Sequence, residues 1–338
     1  LLDLVSILVP VFNREKLISE TLESALSQTY PNIEVIVVDN ASTDGTWQAI
    51  EEFARRDPRV KAFRNEANLG PVRNWLRVIS EASGHYGKIL WSDDLISDDY
   101  LEKTLPLFNP DVGFVYTAVQ IFAGDRRDGP ISYRLGKTGH YDCEEFIRRS
   151  LYEKDVPLSP GCAVFRLHDL RENLLLNIPN RVGSDFSKHA IGPDLLLFLL
   201  TCLKYKQVGF VASPLAFFRD HKGSISAAGD RGKLRLHYLL AKCYFVEAFM
   251  PEERARLAAF ASLLLWKYPN AARMYGMRGV CSFFSAEVVP DNIFLAKHLA
   301  GLIISIPQRA FRKGVRLIAK IAGRLCMHVK IRSGRGGS

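Results

Sequence analysis

Residues 33–46, IEVIVVDNASTDGT, decide the fold. Ile33–Val38 is a short, mostly apolar and β-branched run, which reads as a strand buried on both faces, the pattern of a parallel sheet. The run ends at Asp39. Asn40–Gly45 is a polar loop in which Thr43 or Asp44 is placed to cap a helix over Thr46–Arg56. Working outward, Ser6–Phe12 (SILVPVF) reads as a second buried strand. Arg14–Gln28 then reads as a helix, with Asn13 at its N-cap and Leu17, Thr21, Leu22, Ala25 and Leu26 facing inward. Val60–Arg64 suits a third strand. Pro71–Ala82 suits a helix, with Pro71 in the first turn. Lys88–Trp91 is a strand that runs into Ser92-Asp93-Asp94. Ser97 opens a helix over Asp98–Phe108, and Val112–Val119 is a strand. Such alternation predicts an α/β fold with a mostly parallel central sheet flanked by helices.

The second half is less regular. Gly124–Gly139 reads as an exposed loop or hairpin. Asp142–Tyr152 and Asp194–Lys204 read as helices, and Cys162–Arg166, Gln207–Ser213 and Leu215–Arg219 as extended. From about residue 230 the pattern is helical. Trp75 and Trp91 are expected in the core.

Composition limits the function. The chain has 338 residues, 48% hydrophobic and 11% aromatic, which is globular and long enough for about two domains. Six cysteines lie far apart without a Cys-x-x-Cys pair, against a thiolate zinc site or a disulfide scaffold. Leu1–Val11 lacks a basic leading region and is not expected to be a secretory signal. No uncharged apolar run reaches the roughly 18 residues that a membrane span needs.

The chemistry lies at the strand ends. In an open parallel sheet, ligands bind beyond the carboxyl ends of strands, and two strands here end in acid: Asp39, and Asp93 with Asp94. Neither is followed by Gly-x-Gly-x-x-Gly or Gly-Lys-Ser/Thr, so the dinucleotide and P-loop readings lose their main support. Carboxylates at two strand ends suit a nucleotide held partly through a hard divalent cation. Such a cation stabilises the charge that develops on a diphosphate leaving group.

Ser6–Arg14 (SILVPVFNR), Glu34–Thr46, Asn68–Asn74 (NLGPVRN), Trp91–Asp94 (WSDD), Gly192–Asp194 and Phe217–Ser226 (FFRDHKGSIS) occur in that order. Together they resemble the family-2 glycosyltransferases, inverting enzymes of the GT-A fold and of the type that builds bacterial surface polysaccharide such as O-antigen or capsule. The resemblance implies a GT-A catalytic domain over residues 1–228. Residues 1–120 would form its nucleotide-sugar half and 121–228 its acceptor half, with a helical C-terminal region over 229–338.

It also implies roles for particular residues. Pro10 and Phe12, on the loop after the first strand, would touch the nucleoside, and Asp39 the base. Arg73 would lie near the nucleotide, and Asp93 at the ribose or a metal-bound water. Asp94 would hold Mn2+ or Mg2+, with His221 as a ligand or diphosphate contact. Arg219, Ser224 and Ser226 would reach phosphate or shape the site. Asp194 would be the catalytic base, with Asp185 as the reserve candidate, and Ser159-Pro160-Gly161 would belong to the acceptor-side loop. Two departures stand out: Asn40 where a second Asp is common, and Pro193 where Glu is usual before the base. A catalytically inactive nucleotide-binding scaffold of the same fold and nucleic-acid binding through the basic tail are the two rival readings.

The net charge of +9 belongs to the tail. From Asn292 to Ser338 there are ten basic residues and no acidic one, which leaves 35 basic against 36 acidic elsewhere. Phe311, Val315, Ile318, Ala322, Leu325 and Val329 draw one apolar stripe at helical spacing, with Arg309, Lys313, Arg316, Lys320 and Arg324 mostly opposite. A basic amphipathic helix suits an anionic membrane surface; packing on the domain is the alternative. Nucleic acid is not expected as a partner, because no aromatic platform is interleaved with the basic residues. With the resemblance, the tail implies a cytoplasmic protein, peripheral on the inner face of the membrane. Its expected acceptor is a glycan, polyprenyl-diphosphate-linked.

Overall fold

The structure, a computed structural model, describes residues 2–124, 128–152, 155–221 and 230–297. Its first half alternates β1 (Val5–Val11), α1 (Ile18–Leu26), β2 (Ile33–Asp39), α2 (Thr46–Arg56), β3 (Val60–Arg64), α3 (Pro71–Ser80) and β4 (Tyr86–Ile89). Next come β5 (Leu95–Ile96), α4 (Tyr100–Thr104) and the long β6 (Val112–Phe122). The chain continues through β7 (Ile131–Ser132), β8 (Gly139–Asp142), α5 (Cys143–Leu151), β9 (Ala163–Arg166), α6 (Leu167–Asn173), α7 (Phe186–His189), α8 (Pro193–Cys202) and β10 (Gln207–Arg219). Then come α9 (Arg231–Phe249), α10 (Arg254–Lys267) and α11 (Pro269–Met274).

One sheet runs through the molecule in the order β3-β2-β1-β4-β9-β6-β10-β5. The expected parallel arrangement holds for β3-β2-β1-β4 and again for β6 with β10. Between these blocks β9 pairs antiparallel with both β4 and β6, and β5, β7 and β8 also pair antiparallel. All seven residues of β1 and of β2 are buried. A wholly buried Val, Leu or Ile contributes roughly 1.5–3 kcal/mol, so Ile7–Val9 and Val35–Val38 anchor the sheet centre.

Several local expectations change. The first helix starts at Ile18, and Asn13 does not cap it. Asn13 takes the left-handed conformation (φ 51°), which asparagine tolerates, and its Oδ1 accepts from Thr43 N at 2.9 Å. The expected helix over 98–108 is one short turn of α-helix followed by a 3-10 turn, Leu105–Leu107. Gln207–Arg219 is one strand, interrupted by register shifts around Pro214. No helix among the described residues is long and apolar enough to cross a membrane. The basic stripe of residues 309–335 lies outside the described residues.

Candidate active site

The parallel register of β1, β2 and β4 puts Phe12, Asp39 and the 91–94 turn at one edge of the sheet. Pro10 does not reach that edge as a loop residue. It is buried inside β1, paired with Val38, while Phe12 just beyond is 38% exposed.

Asp39 is wholly buried. Its carboxylate accepts from the main-chain N–H of Ser42 at 3.2 Å and from the Ser42 hydroxyl, and pairs with Arg64 Nε at 3.1 Å. Ser42 Oγ in turn accepts from Asn13 N at 2.8 Å, and Arg14 N donates to Thr46 Oγ1 at 2.7 Å. The loop after β2 is thereby stitched to the loop after β1. Asn40 fills all four of its hydrogen-bonding positions. Its Oδ1 accepts from Asn65 Nδ2 (3.0 Å) and Leu69 N (2.9 Å), and its Nδ2 donates to Asn68 Oδ1 (2.9 Å) and Gly70 O (3.3 Å). An amide suits this place, since a carboxylate only accepts.

The acidic pair sits past β4. Asp93 Oδ2 accepts from Arg14 Nε at 3.2 Å and lies 3.0 Å from His221 Nε2. Asp94 is 6% exposed, and its Oδ1 accepts from the main-chain N–H of Arg219 at 2.9 Å. Burial first, and the neighbouring Asp93 charge second, push the Asp94 carboxyl well above the usual carboxylate range. Beneath lies Lys88, wholly buried in β4, its ammonium donating to the carbonyls of Ile89 and Gly161 and standing 4.9 Å over the Tyr100 ring. Burial lowers the Lys88 pKa to about 7 against the opposing pull of Cys162 and Asp94.

The Arg219 guanidinium, which the motif suggests for phosphate, has partners within the protein. It is 8% exposed, donates to Asp93 O at 2.9 Å, pairs with Glu20, and lies 4.6 Å over Phe122. Those contacts tie it to the acidic turn. His221 Nε2 is likewise set on Asp93 Oδ2. Among the described residues no three His, Cys, Asp or Glu side chains converge as a cation cage. Two adjacent carboxylates, one buried with like charge beside it, nonetheless fit a hard divalent cation. Mg2+-type sites characteristically use one or two carboxylates and leave the other positions to water and phosphate. Asp93 and Asp94 would hold it, with His221 orienting Asp93.

Asp194 opens α8 and is 7% exposed. Oδ1 accepts from Gly192 N (2.8 Å) and Leu195 N (2.9 Å), so this carboxylate also binds main-chain N–H groups at the start of α8. Oδ2 accepts from the Tyr238 hydroxyl at 2.5 Å. Burial raises its pKa to about 6, with Tyr238 and the two main-chain N–H groups opposing. Asp185, the reserve candidate, is exposed and caps α7 through Ser187. Arg73 reaches that same Ser187 hydroxyl at 3.0 Å, joining α3 to α7. Ser159 Oγ accepts from Trp91 Nε1 at 2.8 Å, so the 159–161 turn rests on the segment that leads to the acidic pair. Trp91 is half-buried, its ring 4.8 Å from Trp75. Ser224 and Ser226 lie outside the described residues.

Arg14, Lys88, Glu20 and Tyr238 belong to the site without having been singled out. Arg14 closes the SILVPVFNR motif, and a lysine inside an apolar strand is itself a signal. Glu20 and Tyr238 carry no signal in the sequence.

Fold and site together define an α/β protein with acidic residues clustered over the carboxyl ends of its central strands. Residues 6–174 match the family model described as glycosyl transferase family 2, and the chain belongs to that family. It is 39% identical over 104 residues to an uncharacterized glycosyltransferase of Haemophilus influenzae, covering 31% of this chain and 42% of that protein. It is 40% identical over 93 residues to the Escherichia coli UDP-Glc:alpha-D-GlcNAc-diphosphoundecaprenol beta-1,3-glucosyltransferase WfaP, covering 28% of this chain and 36% of that one. The chain spans less than half the length of the first curated relatives it matches. The fold is similar to the crystal structure of S. aureus TarS 1-349 in complex with UDP-GlcNAc. The TM-score is 0.57 and the identity 19%, with 91% of this chain and 82% of that chain covered.

Proposed function

We propose that this chain is a metal-dependent, inverting glycosyltransferase that moves a sugar from a nucleotide-diphospho-sugar to a hydroxyl of a glycan acceptor in bacterial surface-polysaccharide synthesis. The observation that carries the reading is the carboxylate pair Asp93–Asp94 beyond β4, one member buried with like charge beside it. Asp39, Phe12 and Arg73 would surround the nucleoside and diphosphate. A divalent cation, Mn2+ or Mg2+, when held at Asp93 and Asp94, supplies positive charge against the diphosphate.

The acceptor oxygen attacks the anomeric carbon from the face opposite the nucleotide. The new C–O bond forms as the bond to the diphosphate oxygen breaks, and that oxygen keeps the electron pair. The acceptor proton passes to the Asp194 carboxylate. A base whose pKa lies near 6 is ionised at neutral pH and still takes up a proton readily. Single displacement inverts the anomeric centre.

The lipid-linked acceptor of WfaP supports a polyprenyl-diphosphate-linked acceptor here. With it comes a place on the inner face of the membrane, through the ten basic residues after Asn292. The test is incubation of the chain with labelled UDP-, dTDP- and GDP-sugars, with Mn2+ or Mg2+ and no acceptor. One donor is expected to be slowly hydrolysed, and chelation to stop it. Absence of both binding and hydrolysis across the panel would overturn the reading.

A further inference from the structure

The helix α9 meets the candidate base through Tyr238. Tyr238, on α9, is 7% exposed and donates its hydroxyl to Asp194 Oδ2 at 2.5 Å. The approach is built in on both sides. Gly192, just before α8, has φ 131°, and a Cβ there would come within 3.0 Å of Ala241 Cβ and 2.8 Å of Phe186 Cε1. Ala241 is three residues on from Tyr238 and shares its helix face. Glycine at 192 and alanine at 241 thus let α9 seat against the start of α8 closely enough for the tyrosine to reach the carboxylate.

We propose that Tyr238 is a positioning residue for Asp194: its hydroxyl fixes the carboxylate and favours the ionised form that accepts the acceptor's proton. This rests on Asp194 being the base, as argued above. Without Tyr238 the Oδ2 side of a buried carboxylate would lose its hydroxyl donor, and a buried charge without partners neutralises. Other groups facing this spot are few. Tyr133 approaches from the loop after β7 and carries Cys162 and Asp155 beside it; burial keeps its hydroxyl protonated. Arg235 stands near Tyr238 on α9. From α8 and its lead-in come the N–H groups of Gly192 and Leu195. His237, next to Tyr238, faces His189 and Tyr275 instead, with ring centroids 4.6 and 5.0 Å away.

The test reads the ionisation of Asp194 directly in the full chain. Isotope-edited infrared titration follows the carboxylate band that is present in the wild type and missing in Asp194→Asn. Tyr238→Phe keeps the ring and its packing, and is expected to raise the midpoint by about one pH unit. Fluorinated tyrosine placed at 238, a stronger donor of the same shape, is expected to lower it. A midpoint that moves in neither protein would overturn the proposal, and fluorotyrosine covers the case where the phenylalanine variant misfolds. The two ideas separate cleanly. If Asp194→Asn transfers sugar normally while the midpoints move, the base assignment fails and the Tyr238 coupling stands. If Asp194→Asn is inactive and the midpoints stay fixed, only the Tyr238 role is lost.

Discussion

The main-chain N–H of Arg219, the last residue of β10, donates to Asp94 Oδ1 at 2.9 Å. A residue 125 positions further along the chain therefore closes the turn that carries the acidic pair. The Arg219 side chain strengthens the closure by bonding Asp93 O and Glu20 and covering Phe122. The geometry of Asp93 and Asp94 thus depends on the far end of the sheet as well as on β4.

The pair's affinity for a cation is open to direct measurement. Mn2+ or Mg2+ is expected to raise the melting temperature of the wild-type chain, since a ligand at 100 times its Kd adds about 2.7 kcal/mol. Asp94→Ala is expected to remove that rise and the cation-stimulated turnover together. A variant that keeps full turnover in chelator would refute the cation site.

Asp194→Asn separates chemistry from folding. The amide keeps the shape, and its oxygen still accepts from Gly192 and Leu195. Donor binding is expected to persist while transfer falls by roughly 100-fold or more. Stability should move the other way. The folded pKa of about 6 lies above the ordinary 3.8, so the folded chain holds this proton more tightly than the unfolded one. Stability from this group is present at low pH and lost as pH rises from about 4 to 6. At pH 8 the wild type therefore carries a cost of up to about 3 kcal/mol that the variant lacks. Urea unfolding at pH 8 against pH 4.5 checks the sign. Turnover of the wild type should also fall about tenfold per pH unit below 6.

Much of this was legible from local pattern. The buried strands β1 and β2, the polar loop after Asp39 and the acidic residues after β4 are set by short-range chemistry, and the structure has them where the apolar runs end. The expected cap differs: Gly45 stands at the N-cap of α2 without a side-chain cap bond, and Asp44 Oδ1 accepts from Thr46 N at 3.1 Å. Partners distant in the chain were not legible. Nothing around Tyr238 marks it as bonded to a carboxylate 44 positions away. Arg219 reads as a phosphate contact in its motif, yet Glu20 and Phe122 claim its guanidinium. The antiparallel insertion of β9 between β4 and β6 was also hidden, because a four-residue strand has too few side chains to show a direction.

Asn40 offers a sharper test of a departure seen in the sequence. Its two amide hydrogens go to Asn68 Oδ1 and Gly70 O, and its oxygen takes Asn65 and Leu69. Asn40→Asp would set a charged acceptor against two acceptors. The expected loss is about 2 kcal/mol or more in urea unfolding at pH 7. The introduced carboxyl can donate once protonated, so its folded pKa is raised and the loss should shrink as pH falls toward 4. A variant as stable as the wild type at pH 7 would mean that the 65–70 loop is held by something other than this amide.

The charge of the basic tail lends itself to a truncation test. Its ten Lys and Arg with no acidic residue would each gain about 1 kcal/mol beside an anionic bilayer, screened over a Debye length. A chain cut before residue 307 loses nine of the ten, keeping Lys297. It is therefore expected to leave vesicles rich in phosphatidylserine or phosphatidylglycerol while binding nucleotide as before. Salt should release the full-length chain only partly, because the apolar stripe from Phe311 to Val329 adds a contribution that ions do not screen. Neutral phosphatidylcholine vesicles separate the two contributions, since binding there reports the stripe alone. If the shortened chain sediments with anionic vesicles as well as the intact one does, the membrane contact lies elsewhere in the protein, and the charge of the tail has another use.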